Sequence, residues 1–449
     1  MKKESFDVVI VGAGIAGSTL AYFLAKEGFK VAIIEKVNKN LVGWKPCGDA
    51  IGRHYFEELG LEPPHGGELE LIVKGIDIYS PSEEHRIRVE GEGYIVNTPA
   101  FVRRILSSAL SRGAVLYDNT HAIEPILEEG IVKGVIAKHG EEKIEFRSKL
   151  LVDASGNAAV IRRKLPKNMP IAEEAEPTEF NIAYREIRIV EEKIKEPHYI
   201  RIYINQEIAP GGYWWYFPKG EHKVNVGLGV QAGVGNPSPK KLFYRYLANK
   251  SIVKGEIINS GGAPVPTRRP ISTLVWDGVA VIGDAGYTVN PIHGGGKGSS
   301  MLAAYCVAKA FNEAYDKGVI NAASLWSANK CYIERYGAKQ ASLDILRIFL
   351  QKMSNNDYEF LISRKLIDGS ELYTISAQAS ITPKVVSRIL KAILIGLSRP
   401  SLLAKLKRVV DYMEKVRNYY LNYPDKPNDL ERWLTGLKKI YEEFKASIR

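Results

Sequence analysis

Two kinds of apolar patterning alternate along the first third of the chain. Residues 6–11, Phe6-Asp-Val-Val-Ile-Val11, are almost continuously apolar, as a strand covered on both faces requires. Leu20, Ala21 and Leu24 then recur at helical spacing as far as Lys26, and Gly28 supplies a natural helix end. Residues 31–34, Val-Ala-Ile-Ile, form a second short buried strand, so this region predicts strand, helix, strand. Residues 99–110 return to the helical period, while 149–152 and 279–282 read as further buried strands. Residues 201–206, 212–217 and 223–230 are strand-like runs joined by Gly/Pro turns, which predicts an antiparallel sheet. After Asn312 the pattern is helical, with a connection at 354–357 and breaks at Gly369-Ser370 and Arg399-Pro400. The chain therefore reads as a multi-domain α/β (α+β) protein with a parallel-sheet domain, an antiparallel-sheet domain and a helical C-terminal subdomain.

The turns between these elements carry the first chemistry. Gly12-Ala-Gly-Ile-Ala-Gly17 follows the first strand at once, and Glu35 ends the second. In a dinucleotide unit Gly12 permits the tight turn, Gly14 lets backbone reach a pyrophosphate, Gly17 lets helix and strand approach, and Glu35 accepts ribose hydroxyls. The unit alone does not separate NAD from FAD. Two later strands also end in an acid followed by glycine: Asp153-Ala-Ser-Gly156, and the segment from Gly283-Asp284 to Gly298. Three such ends facing one crevice imply one extended ligand, held from both sides.

Composition narrows the class. The chain has 449 residues, is 45% hydrophobic and carries a net charge of +11, enough apolar material for two or three domains. Its apolar runs are too short or too glycine-broken to span a bilayer, and the Met1-Lys-Lys start lacks a signal peptide's apolar region, which predicts a cytoplasmic protein. Residues 381–410 hold seven basic residues and no acid, a stretch suited to an anionic partner or to a solvated helix face. No zinc-finger spacing or RNP-like motif points to nucleic acid. The eight histidines form no metal constellation, and Cys47, Cys306 and Cys331, odd in number and without CxxC spacing, predict no disulfide framework.

These motifs in this order resemble the FAD-dependent p-hydroxybenzoate hydroxylase-like flavoproteins, and within them the geranylgeranyl reductases, including the archaeal digeranylgeranylglycerophospholipid reductases. Lys45-Pro-Cys-Gly48, Pro210-Gly-Gly-Tyr-Trp-Trp-Tyr-Phe-Pro218 and Asn290-Pro-Ile-His-Gly-Gly-Gly296 carry the closer likeness. Lys297 departs from it, standing where relatives are commonly apolar, as does the two-residue gap in Asp153-Ala-Ser-Gly. The resemblance implies FAD held by Gly12, Gly14, Ala16, Gly17, Glu35, Lys36, Cys47, Gly48, Asp153, Gly283 and Asp284. Gly294, Gly295 and Gly296 lie along the flavin ring, their N–H groups facing its negative charge. Arg103 is a phosphate or flavin contact, or a solvated arginine beside Arg104.

In residues 213–217 strand alternation puts Tyr213, Trp215 and Phe217 on one face and Trp214 and Tyr216 on the other. One aromatic face can be core; the other needs an apolar partner such as a long hydrocarbon chain. The resemblance adds Pro291 and His293 to the substrate side, His293 being structural or tuning the ring. It implies hydride transfer from flavin to a geranylgeranyl double bond of a lipid or diphosphate, with a proton from Cys47, Tyr213, Tyr216 or water. Electrons come from ferredoxin or NAD(P)H, since no second GxGxxG follows a strand, and peripheral contact with the membrane accompanies a lipid substrate. A flavin monooxygenase or epoxidase on an apolar substrate, and a membrane-docked electron carrier, are the competing readings. The expected domains are 1–60, 95–165 and 265–330 for FAD, 61–94 and 166–264 for substrate, and 331–449 for the helical subdomain. Within the last, Ile389, Leu390, Ile393, Leu394 and Leu397 are expected to cap a hydrocarbon tunnel, rest on a membrane or form plain core.

Overall fold

A computed structural model describes residues 2–366, 368–378 and 399–448. Lys384, Arg388, Lys391 and the apolar positions from Ile389 to Leu397 lie outside the described residues.

The buried runs near the N-terminus assemble into an eight-stranded sheet. Its central strands, Val279–Val281, Glu142–Asp153, Lys2–Val11, Val31–Ile34 and Val115–Tyr117, are mutually parallel. Val275–Trp276 adds an antiparallel edge, and Thr120–Glu128 and Ile131–His139 continue from Glu142–Asp153 as a meander. Parallel strands must be covered on both sides, which explains why these runs carry so few polar residues. One face packs under the helices Ile15–Lys26, Thr98–Leu110 and Lys297–Asp316, and the other under residues 159–172. Register aligns Val11 with both Ile34 and Asp153, and Asp153 with Val281. Four strand ends therefore open on one edge, where the turns at Gly12, Glu35, Ala154 and Gly283 meet.

The second sheet also has eight strands, in the order Gly255–Pro266, Phe180–Val190, Lys223–Gln231, Tyr213–Pro218, Tyr199–Tyr203, Leu69–Tyr79, Arg86–Val96 and Ala50–Gly52. All neighbours are antiparallel except Tyr199–Tyr203 against Leu69–Tyr79. Its outer face buries Trp214, Tyr216, Val224 and Val226 against the helix Pro239–Tyr246. Its inner face, carrying Trp215, Phe217, Ile200 and Val73, looks toward the first sheet and encloses a cavity with it. Helices Ala338–Leu350, Asn355–Ser363, Gly369–Gln378 and Pro400–Leu421 close the far end, and Leu430–Ser447 packs on Pro400–Leu421.

The cysteine expectation is corrected here. Cys306, on the helix Lys297–Asp316, and Cys331, on Ser327–Tyr332, are joined by a disulfide with Cα atoms 5.6 Å apart. Packing of two helices brings them together, and a separation of 25 residues carries no local signal of it. Denatured without reductant, the protein is expected to titrate as one free thiol, and after reduction as three. Three thiols before reduction would show the bond is not formed.

Candidate active site

The edge where the strand ends meet begins the cavity. Gly12 has φ +104°, and a Cβ there would lie 2.5 Å from the Ala154 carbonyl oxygen; a Cβ on Gly17 would lie 1.9 Å from the Gly12 oxygen. Both glycines are thus fixed by close backbone approach. Gly14 differs: a Cβ there meets nothing within 4 Å, so its backbone faces open space at a helix start that has no side-chain cap. A pyrophosphate fits that gap and the positive helix end behind it. Glu35 accepts from the Ala13 N–H at 2.7 Å and the Val37 N–H at 3.1 Å, which orients its carboxylate toward the same space while leaving lone pairs for ribose hydroxyls. Ala16, Lys36 and Gly283 line this end.

The cavity, about 1980 Å³, continues past Asp284. Its carboxylate accepts from Lys45 Nζ at 3.0 Å and Asn157 Nδ2 at 3.3 Å, closing a bridge between three chain segments. Residues 290–296 form a tight loop on Asn290, whose side chain accepts from the Ile292 and His293 N–H groups. The Gly294 N–H donates to the Asn290 carbonyl and the Gly295 N–H to His293 Nδ1, both at about 3 Å. Those two donors are therefore committed within the loop and do not face a ligand, contrary to expectation. The uncapped first turn of Lys297–Asp316 is the available source of N–H groups. Since His293 Nδ1 is an acceptor, the ring is neutral; its enclosure, and the Lys339 charge nearby, push its pKa down to about 4. Its accessible surface faces cavity space, lined also by Pro291.

Beneath the middle of the cavity lies an ionic cluster that sequence reasoning missed. Lys219, 7% exposed, bonds Asp49 at 2.7 Å and also Glu70, which Lys223 reaches from the surface. Asp49 further accepts from Thr98 at 2.6 Å and Asn225 at 3.0 Å. Burial pushes the Asp49 carboxyl up, but the Lys219 and Lys297 ammonium groups and these hydrogen bonds outweigh it, leaving it below the usual carboxylate range. Asn225 also binds the Cys47 carbonyl at 2.6 Å and accepts from Trp215 Nε1 at 3.0 Å, so one amide couples the Cys47 loop to the aromatic strand. Cys47 lines the cavity, and its Sγ accepts from Lys297 Nζ at 2.8 Å and the Asp49 N–H at 3.4 Å.

Tyr213, Trp215 and Phe217 project into the cavity from the second sheet, beside Gly229, Ala183 and Ala263, whose small side chains leave room in front of them. The Tyr213 hydroxyl donates to the His293 carbonyl at 2.6 Å, and burial pushes its pKa well up. The Phe217 ring stands 3.2 Å from where a Gly48 Cβ would be. Beyond the aromatic row the walls are aliphatic: Ile76, Val89 and Ile202 from the sheet, Leu346, Leu361 and Val409 from the closing helices.

Three expected site residues lie elsewhere. Tyr216, 2% exposed, is on the outer face with Arg201 over its ring, as strand alternation dictates. Asp153 is fully buried and accepts from the N–H groups of Ser155, Ile161 and Arg162 and the Ser155 hydroxyl; it shapes the turn, while Ala154 to Asn157 face the cavity. Arg103 donates to the carbonyls of Asn40 and Val42, bracing the loop from behind. A signal for Lys219 was present: it shares parity with Tyr213, Trp215 and Phe217 and so falls on their face.

Lys219→Met leaves the buried Asp49 carboxylate without its bonded cation, while Glu70 keeps Lys223, and is expected to cost about 3–5 kcal/mol at pH 7, measured by urea denaturation. Asp49 has a folded-state pKa below its unfolded value, so its contribution exists above about pH 4 and is lost as pH falls. The gap between wild type and variant is expected to narrow toward pH 3; a gap that holds constant would contradict the pairing.

Comparison with known proteins identifies the family. Residues 179–265 match the geranylgeranyl reductase catalytic domain family, and residues 7–39 the FAD dependent oxidoreductase family. The chain is 44% identical over 100% of both lengths to a digeranylgeranylglycerophospholipid reductase of Sulfolobus acidocaldarius. With digeranylgeranylglycerophospholipid reductase 2 of Methanopyrus kandleri it shares 29% identity over 90% of this chain and 99% of the relative. A crystal structure of a geranylgeranyl bacteriochlorophyll reductase-like protein from Thermoplasma acidophilum superposes with TM-score 0.76 at 25% identity, covering 91% of this chain and 100% of that one. A myxobacterial FAD-dependent chondrochloren halogenase, 18% identical with TM-score 0.65 over 86% and 96% of the two chains, shares the fold alone. The chain belongs to the digeranylgeranylglycerophospholipid reductase family of FAD-dependent oxidoreductases.

Proposed function

We propose that this protein reduces the isolated C=C bonds of geranylgeranyl chains carried on a glycerophospholipid, in the synthesis of membrane ether lipids. The observation that carries the reading is one cavity whose wall changes character along its length: nucleotide-binding turns, then an aromatic row, then an aliphatic lining. Its 1980 Å³ exceeds the roughly 300–1,000 Å³ of an ordinary ligand pocket, leaving room for a cofactor and a long chain together. FAD fits the polar end. Gly14 and the helix start behind it would hold the pyrophosphate, Glu35 the ribose, and Lys45, Asp284 and Asn157 the stretch leading to the flavin ring. Bound and reduced, FAD supplies the hydride.

The chain's own residues supply the rest. An unactivated trisubstituted alkene gains positive charge at its tertiary carbon as hydride arrives at the other, and the faces of Trp215, Tyr213 and Phe217 stabilise that charge. The aliphatic wall keeps water from capturing it. The proton falls to Cys47. Tyr216 is on the wrong face of its strand, and the Tyr213 proton is committed to the His293 carbonyl. The Cys47 thiol borders the cavity, and its loop lies next to the aromatic row, against Phe217 at Gly48.

No described helix is long and apolar enough to cross a membrane. Peripheral contact is the route we infer for the lipid, supported by half-exposed Tyr373 at the aliphatic end of the cavity. Electrons arrive from an external donor, ferredoxin or NAD(P)H; the net charge of +11 favours the acidic protein.

Anaerobic, dithionite-reduced holoprotein is expected to be reoxidised by a geranylgeranyl glycerophospholipid, with product mass rising in steps of two hydrogens; a reduced flavin left unchanged by the lipid would refute the activity. Gly14→Ala places a methyl in the pyrophosphate gap and is expected to weaken FAD binding by about tenfold or more, about 1.4 kcal/mol, by titration calorimetry, with the thermal midpoint of the FAD-free protein unchanged. Wild-type affinity in that variant would show that the phosphates lie elsewhere.

A further inference from the structure

Lys297 has no place in the account so far, and three forces oppose a cation where it stands. It is 8% exposed, and a buried ammonium is costly without a partner. It is the first residue of the helix Lys297–Asp316, at the positive end of the helix dipole. Around Cys47 and Asp49 it adds to the positive charge of Lys219, Arg185 and Lys45. Asp49 offsets part of this, its carboxylate feeling both Lys297 and Lys219, but the direct contacts of Asp49 and Glu70 are with Lys219. Its Nζ hydrogen-bonds the Cys47 sulfur at 2.8 Å. A neutral thiol repays little of this cost, whereas a thiolate repays much of it. The arrangement suits an anion that exists for part of each cycle.

We propose that Lys297 returns the proton that Cys47 gives to the substrate, holding the thiolate as an ion pair in the interval. The inference rests on the reading of Cys47 as proton donor. In each reduction the Cys47 S–H bond breaks as a C–H bond forms at the tertiary carbon, while the hydride from reduced FAD forms the other C–H bond. An Nζ–H bond of Lys297 then breaks as S–H re-forms, and the resulting amine takes a proton from solvent. The lipid gains two hydrogens and FAD ends oxidised. The Asp49 N–H, 3.4 Å from the sulfur, adds a second donor to the thiolate.

Two variants separate charge from proton transfer, both in full-length, FAD-loaded protein. Cys47 is the free one of three cysteines, so its alkylation by iodoacetamide is read as one mass adduct. Lys297→Met is expected to slow alkylation at pH 7 by about tenfold or more. Lys297→Arg keeps the charge and is expected to alkylate within about twofold of wild type, yet it cannot release a proton, so its turnover falls by about tenfold or more. Flavin absorbance checks that both variants fold and bind FAD. Wild-type alkylation in Lys297→Met, or wild-type turnover in Lys297→Arg, would overturn the proposal. Cys47→Ala distinguishes the two layers. If it reduces lipid at the wild-type rate, the proton-donor reading falls; if it is inactive while both Lys297 variants behave as wild type, the role of Lys297 alone falls.

Discussion

A hydrogen bond of 2.6 Å from the Tyr213 hydroxyl to the His293 carbonyl ties the aromatic strand of one sheet to the glycine loop of the other. The site depends on that junction. Each sheet is stable on its own terms, the parallel one by burying both faces and the antiparallel one by packing its outer face on a helix. Hydride transfer needs the inner face of the second held at a fixed distance from the loops of the first. Asn225 makes the second tie by joining the Cys47 carbonyl to Trp215. Together the two ties hold the aromatic strand against both the glycine loop and the Cys47 loop.

Charge is distributed unevenly around these loops. His293 is kept neutral and contributes its backbone carbonyl to the bond from Tyr213. Tyr213 spends its proton on structure. Positive charge is gathered instead beneath the Cys47 loop, where Lys219 contacts Asp49 and Glu70 directly, and Lys297 hydrogen-bonds the Cys47 sulfur within the field of Asp49. Such a cluster is expensive to bury, and apolar side chains of similar size would be as stable or more so. Its retention beside the reacting centre is understandable if it manages a proton.

Much of this was legible in the sequence because it is local. Gly12 to Glu35 specify strand, turn, helix and strand within thirty residues, and parity separates Tyr213, Trp215 and Phe217 from Trp214 and Tyr216. Which of the two faces meets the cavity depends on the packing of the helix Pro239–Tyr246 far along the chain, and that packing puts Tyr216 on the outer side. Asp153 and Arg103 were misread for another reason: a sequence shows an acid or a base but not whether backbone groups have consumed it, and here turn amides and loop carbonyls have. The Asp49–Lys219 pair spans 170 residues and the Cys306–Cys331 bond joins two packed helices, so neither leaves a local pattern. Lys297 was visible in the sequence only as a cation at the end of a glycine loop, and the 2.8 Å contact with Cys47 gives it a meaning.

In the proposed complex a hydrocarbon chain lies along the inner face of the second sheet, next to the cofactor. A geranylgeranyl glycerophospholipid carrying a diazirine midway along one chain reports that placement by photolysis on FAD-loaded protein and residue-level mass spectrometry. Insertion is expected at Tyr213, Trp215 or Phe217, suppressed by excess unlabelled lipid. Insertion at Trp214 or Tyr216, or only at residues on the outer surface, would contradict it.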